Sequence, residues 1–155
     1  MKKENKSNSS NVHVVVNTKG GVGKTTVSGI VATLLYLQNQ DKKINLFEID
    51  DNNNSKINSN YINYQSLKLK DSEIVIDDIQ FSSLSDSNVT NIADVGGGNN
   101  TKKILKKLKE IDLSGLNYYV PVTDNLDEVK NVQDTITLIR DFDKSANINL
   151  ILNRC

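Results

Sequence analysis

Val12-His13-Val14-Val15-Val16-Asn17-Thr18-Lys19-Gly20-Gly21-Val22-Gly23-Lys24-Thr25-Thr26 is the stretch on which the fold turns. Its first five residues form a short β-branched run bounded by polar residues, the pattern of a strand buried on both faces. The glycines predict a tight turn after it. Lys24 to Gln40 then reads as a helix, with Val27, Ile30, Val31, Leu34, Leu35 and Leu37 giving a wide apolar face. Ile44 to Ile49 reads as the next strand. Strand, helix and strand in so short a span make a βαβ unit, hence a parallel sheet with a right-handed crossover.

Working outward, Asp51 to Tyr64 is rich in Asn and Ser and reads as a polar surface connection. Ser72 to Phe81 alternates weakly and is expected to add strands, with an antiparallel edge as one arrangement. Val89 to Asp94 is a short strand ending at a triple glycine, and Thr101 to Ile111 a helix. Tyr118 to Val122 is a strand, Asp124 to Arg140 a helix with Asp124 as its N-cap, and Ile148 to Leu152 a final strand. The expected fold is α/β: a doubly wound, mostly parallel sheet flanked by helices in three layers. Residues 12–155 are expected to form one domain, preceded by a disordered polar tail at 1–11. Because the chain stops just after a strand, where such folds pack a further helix, the domain is expected to be incomplete at its C-terminal end.

The 155 residues suit a single domain. Nineteen Lys and Arg balance nineteen Asp and Glu, so net charge gives no general pull toward nucleic acid or an anionic membrane. The one Cys, at position 155, excludes a disulfide framework and a Cys-clustered metal site within one chain. Nothing approaches a transmembrane run, and Met1 to Asn11 lacks the apolar core of a signal peptide. A cytoplasmic protein is expected.

The chemistry lies in the glycine turn. A phosphate chain carries several negative charges, and a turn without Cβ atoms lets backbone N–H groups converge on it. The helix that follows adds the positive end of its dipole. Gly20, Gly21 and Gly23 supply the turn, with Val22 among them, and the helix from Lys24 supplies the dipole. Lys24 is expected at the β- and γ-phosphates, the Thr25 hydroxyl on Mg²⁺, and Thr26 near the α-phosphate. A glycine turn with no ligand is the bland alternative, and the strand–turn–helix context weighs against it.

The usual pattern is G-x-x-x-x-G-K-[ST], but Thr18 stands at its first glycine. What stands instead, Lys19-Gly20-Gly21-Val22-Gly23-Lys24-Thr25-Thr26, resembles the deviant Walker A motif of the ParA/MinD family of P-loop ATPases. The resemblance runs from about Val12 to Asn153. It implies that Lys19 is the signature lysine, which reaches the phosphates of ATP in a partner subunit and stabilises charge in the transition state. Glu48-Ile49-Asp50-Asp51-Asn52 resembles the family's D-x-D-P-Q segment, which makes Asp50 the carboxylate that positions water. Glu48 stands where the family often has Asp, and Asp51 replaces Pro. Asp94-Val95-Gly96-Gly97-Gly98 resembles Walker B with its D-x-x-G switch. Asp94 would hold a Mg²⁺-bound water, and the N–H of Gly97, with Gly96 as a second candidate, would approach the γ-phosphate. Asn153 follows the last strand, where family members often carry an Asn that reads adenine; an amide both donates and accepts.

The resemblance implies an ATPase that binds ATP with Mg²⁺, dimerises on ATP, and positions or partitions a cargo such as a plasmid. It leaves room for a partner protein that stimulates turnover and for non-specific DNA. Two alternatives stay open: a small-molecule ATP-dependent enzyme of the dethiobiotin synthetase or amide-ligase kind, and a truncated ATP-binding interaction module that does not hydrolyse. Lys102, Lys103, Lys106, Lys107 and Lys109 crowd one helix, opposite a stripe of Ile104, Leu105, Leu108 and Ile111. A solvated lysine face on a sheet-covering helix is favoured over a DNA- or membrane-binding one. His13 is read as structural, Tyr118 and Tyr119 as strand packing, and Glu128 and Lys130 as surface charges.

Overall fold

The computed structural model describes residues 11–52, 55–86 and 88–153. Of the polar tail expected at 1–11, residues 1–10 lie outside the described residues, as do Arg154 and Cys155; Asn11 is described, and its carbonyl accepts the Asn91 N–H at 2.8 Å. Among the described residues are six strands: β1 (Val12–Val15), β2 (Lys43–Ile49), β3 (Ile62–Leu67), β4 (Val89–Val95), β5 (Asn117–Val122) and β6 (Asn147–Leu152). They form one sheet in the order β3-β2-β4-β1-β5-β6, and every pairing is parallel. The helices are α1 (Lys24–Gln38), α2 (Ser72–Ser85), α3 (Asn99–Glu110) and α4 (Asp127–Phe142).

Strand pleating sorts the core. Val12, Val14 and Val16 point to a core shared with Val75, Ile76 and Ile79 of α2, Ile104, Leu105 and Leu108 of α3, and Ile139 of α4. Val15 points the other way, to Val27, Val31 and Ala32 of α1. Three helices therefore cover one face and α1 the other, which is the three-layer, doubly wound arrangement expected. The chain leaves β1 toward β2 and leaves β4 toward β5, in opposite directions along the sheet. The carboxyl ends of the adjacent β1 and β4 thus frame the crevice where open α/β sheets bind ligands.

Two expectations are corrected. Ser72 to Phe81 forms no strands; it lies within α2, because Val75, Ile76 and Ile79 fall on one helical face and are buried while Glu73, Asp77 and Asp78 are exposed. The parallel edge strand comes earlier, at β3, which begins in the last residues of the stretch read as a polar connection and runs on to Leu67. Ile62 and Tyr64 pack toward α1's side of the sheet, while Asn63 and Gln65 are exposed. A two-residue alternation this polar suits an edge rather than a buried strand.

Two boundaries also shift. The apolar face of α1 is narrower than its sequence suggests: Ile30, Leu34 and Leu37 are 53%, 54% and 60% exposed. With no neighbouring helix on its face of the sheet among the described residues, α1 buries only the stripe that touches the strands. Helix α4 starts at Asp127, so Asp124 is not its N-cap; Asn125 instead accepts the Asp127 N–H at 3.0 Å in the turn before the helix. His13 is buried as expected and pairs through Nδ1 with the Tyr119 hydroxyl at 3.0 Å.

Candidate functional site

At the carboxyl end of β1 the backbone turns through Gly21 and Gly23, both left-handed at φ 74° and 84°. Those conformations are cheap only without a Cβ. Gly23 is also the N-cap of α1 and carries no side-chain cap. The first amides of a fifteen-residue helix are therefore left for an anion rather than for a Ser or Asp. Lys24 is buried, and its Nζ donates to the Lys19 carbonyl at 3.0 Å, folding the ammonium back over the turn. Burial lowers its pKa, and the Asp94 and Asp50 carboxylates oppose that shift.

Thr18, at the position of the missing first glycine, shows why no glycine is needed there. Asp112 is the only non-glycine residue with positive φ among those described, so Thr18 lies in ordinary backbone space. Its hydroxyl packs 3.1 Å from that of Thr135, which also accepts the Thr18 N–H at 3.2 Å. Asn17, fully buried, donates from Nδ2 to the Pro121 carbonyl at 2.8 Å and accepts the Lys19 N–H at 2.8 Å. The entry to the turn is thereby pinned to β5 and α4.

The facing wall comes from β2 and β4. Glu48 and Asp94 are register partners on adjacent strands, 1% and 3% exposed. Two carboxylates buried side by side repel each other in low dielectric. Asp94 is pushed up to about 6, first by burial and further by Glu48, against hydrogen bonds from Thr25 and Ser28. The Ser28 hydroxyl lies 3.1 Å from Asp94 Oδ2. Tyr64, on edge strand β3, gives its hydroxyl to Glu48 Oε2 and also lies 2.7 Å from the Ser55 carbonyl. Glu48 Oε1 is buried with no hydrogen-bond partner among the described residues.

Two of the three glycines after β4 stand where a side chain would crowd its neighbours. A Cβ on Gly97 would stand 3.1 Å from the Gly20 nitrogen and the Lys19 carbonyl carbon, and one on Gly96 2.9 Å from Asp50 Cγ. Gly97 therefore lies directly on the P-loop backbone. The Gly96 N–H, by contrast, is spent on the Ile49 carbonyl at 2.9 Å, which removes it as a free donor. The Gly98 N–H holds the Thr18 carbonyl at 2.7 Å.

One cleft of about 540 Å³ results. Gly20, Gly21, Gly23, Lys24, Thr25 and Thr26 line one side; Glu48, Asp50, Asn52, Asp94 and Gly97 line the other. The structure thus brings together nearly all the residues singled out from the sequence. Val22 is buried in the turn itself. Asn153 stands behind the turn, its Nδ2 3.2 Å from the Val22 carbonyl. Lys19 sits on the outer lip, where its Nζ meets the Glu128 carboxylate. Glu128 is not a surface charge: it is 2% exposed, and its Oε2 has no partner among the described residues.

The wall fits a divalent cation. Two buried carboxylates, one with an orphaned oxygen, lie beside the Thr25 hydroxyl and call for positive charge. No three His, Cys, Asp or Glu side chains converge among the described residues. Two carboxylates and a hydroxyl are oxygen donors of the kind Mg²⁺ takes, with its remaining positions filled by water and phosphate oxygens. Sequence reasoning missed Ser28, Tyr64, Thr135, Asn17 and Glu128 as parts of this site. Only the polar Ser28, one turn into an otherwise apolar helix face, left a local signal.

That geometry can be set beside known proteins. No curated protein matches the chain. Among solved structures, the MinD cell division protein of Aquifex aeolicus superposes with a TM-score of 0.62 at 19% identity, covering 93% of this chain and 69% of that one. A plasmid partition protein from Borrelia burgdorferi superposes with a TM-score of 0.57 at 18% identity, covering 91% and 77%. At such identities these likenesses speak for the fold. Among the described residues no helix is long and apolar enough to cross a membrane. Residues 13–155 match the family described as the CobQ/CobB/MinD/ParA nucleotide binding domain, and a match over nearly the whole chain means that this protein belongs to that family.

Proposed function

We propose that the chain binds Mg²⁺–ATP in this cleft and hydrolyses it, and that 12–155 acts as one ATPase domain. The observation that carries the reading is the opposition of an uncapped, glycine-turned helix N-terminus holding buried Lys24 to the paired carboxylates Glu48 and Asp94. One half suits a polyphosphate and the other its cation. Mg²⁺, held through Thr25 and by water through Asp94, would neutralise charge on the phosphate oxygens.

The chain's own groups divide the work as follows. Backbone N–H groups of residues 20–24 and the Lys24 ammonium hold the β- and γ-phosphates. Thr26 lies next along the helix, toward the α-phosphate. Asp50 borders the cleft beside Gly96 and orients a water for in-line attack. The water oxygen bonds to the γ-phosphorus, the bond to the bridging oxygen breaks, ADP leaves, and the water's protons pass to phosphate and solvent. The Gly97 N–H faces the γ-phosphate from the opposite wall. Asn153, behind the turn, serves the adenine.

ATP also favours a two-fold dimer in which Lys19 of each subunit reaches the partner's γ-phosphate. Its position on the lip supports this, and so does its long stem, 43% exposed. To reach across it must leave Glu128. On this reading the protein is a cytoplasmic switch that positions or partitions a cargo such as a plasmid; the plasmid partition protein among the similar structures is in keeping with that cargo. Phosphate release from ATP with no added acceptor, and sedimentation with ATP, ADP or no nucleotide, test it. Hydrolysis and an ATP-selective dimer are expected, the dimer lost in Lys19→Ala. Absence of ATP binding would overturn the reading.

A further inference from the structure

A second cavity, of about 730 Å³, is larger than the nucleotide cleft and lies outside it. One wall is Lys68, Leu69 and Lys70, between β3 and α2; the other is Lys103, Lys106 and Lys107 of α3. Asp51, Glu73 and Glu110 complete the rim. The chain as a whole is neutral, so the charge here is a local choice. Within α3 five lysines face one glutamate.

The rim charges can be paired off. Lys107 meets Glu73 at 2.8 Å, and Lys106 lies 3.8 Å from Glu110. The Asp51 carboxylate accepts the Leu69 N–H at 2.9 Å, and its carbonyl accepts Lys68 Nζ at 2.7 Å. Lys70 and Lys103 have no ion-pair partner among the described residues and are exposed. Five lysines against three carboxylates leave a surplus of two positive charges around a concave site with a leucine in its wall.

We propose that this groove is a docking site for an acidic, partly apolar segment of a partner protein. Carboxylates on such a segment pair with Lys70 and Lys103, and an apolar residue meets Leu69. A nucleic-acid duplex fits poorly: it is a convex rod, and its unbroken phosphate rows would run past Glu73 and Glu110. The site adjoins the nucleotide cleft through main chain. Asp51 follows Asp50, and α3 begins directly after the glycines that pack on the P-loop. An occupant that draws Lys68 from the Asp51 carbonyl alters the turn that sets Asp50. That coupling rests on the proposed ATPase; the docking itself does not.

The test uses the full chain and a short fluorescein-labelled peptide of glutamates with interspersed leucines, read by anisotropy. Binding is expected, weakening with salt. The double variant Lys70→Glu, Lys103→Glu should lose about tenfold or more in affinity. Lys102→Glu, on the same helix but outside the groove, should change it less than about twofold. Both sets change exposed residues, and thermal unfolding verifies that they fold. Binding should persist in Lys24→Ala, which separates this site from the nucleotide reading. No peptide binding, equal loss in Lys102→Glu, or a DNA duplex that binds in preference and displaces the peptide overturns the proposal.

Discussion

The two walls of the nucleotide cleft are built by different means. The P-loop wall, residues 19–28, is one continuous segment whose turn is shaped mainly by its own residues: left-handed Gly21 and Gly23, an uncapped helix start, and Lys24 bonded to Lys19 five residues back. The carboxylate wall joins residues far apart in sequence. Glu48 and Asp94 become neighbours only because β2 and β4 pair in one register, and Tyr64 reaches Glu48 from a third strand. The first wall supplies positive charge by local conformation, and the second supplies negative charge by strand pairing. A local wall should fail residue by residue, whereas a paired wall should fail through its partners.

The sharpest break is Lys24→Ala. It removes the cation over the turn. Without its charge-assisted hydrogen bonds to the β- and γ-phosphates, ATP affinity should fall about 10³-fold, roughly 4 kcal/mol. Equilibrium binding of a fluorescent ATP analogue measures it; unchanged affinity would remove the phosphate assignment altogether. Asp50→Ala acts on the other wall and should do the converse. Turnover should fall about 10²-fold while ATP affinity stays within about twofold. If turnover holds, the water-positioning role passes to Glu48 or Asp51.

A third test asks how firmly β1, which carries the P-loop, is buried. Burial, with help from Lys42, holds the His13 pKa down to about 4, against 6.5 for a free imidazole. Between those values the unfolded chain binds the extra proton, so stability is full above about pH 6.5 and falls as pH drops toward 4. The loss from pH 7 to 4.5 should be about 2 kcal/mol. Urea unfolding of His13→Asn, whose side chain does not titrate, should show that much less acid sensitivity than the native chain.

The smallest effect belongs to the paired wall's outermost member. Tyr64→Phe leaves Glu48 buried with neither oxygen satisfied, at a cost of about 1 kcal/mol. Calorimetry should find the difference from the native chain narrowed by Mg²⁺–nucleotide, which would bring positive charge to the same carboxylate. An equal deficit in both states would show that Glu48 does not face the cation.

The sequence read alone recovers the P-loop, its strand and its helix, because each needs only adjacent residues with set backbone preferences. It also recovers the later strands β4, β5 and β6 along the chain and the three-layer fold, since short apolar runs alternating with helices point to a parallel sheet; the strand order within the sheet it does not give. It fails at Ser72 to Phe81, where mixed polar and apolar residues satisfy either period, and at β3, whose polar alternation resembles a loop. Glu128 reads as a surface charge because nothing near it in sequence shows that α4 brings it under Lys19.

What the sequence by itself determined, then, was the chemistry offered to a phosphate: a glycine turn, a lysine and a helix dipole within one segment. What only the tertiary structure decided was which carboxylates face that turn and how they are held. Register places Glu48 beside Asp94, Gly97 fits against the P-loop backbone only because it has no Cβ, and Asp50 comes against Gly96. Buried charges take their meaning from what surrounds them in three dimensions. Desolvation and Coulomb forces depend on distance through space, and spacing along the chain does not encode that distance.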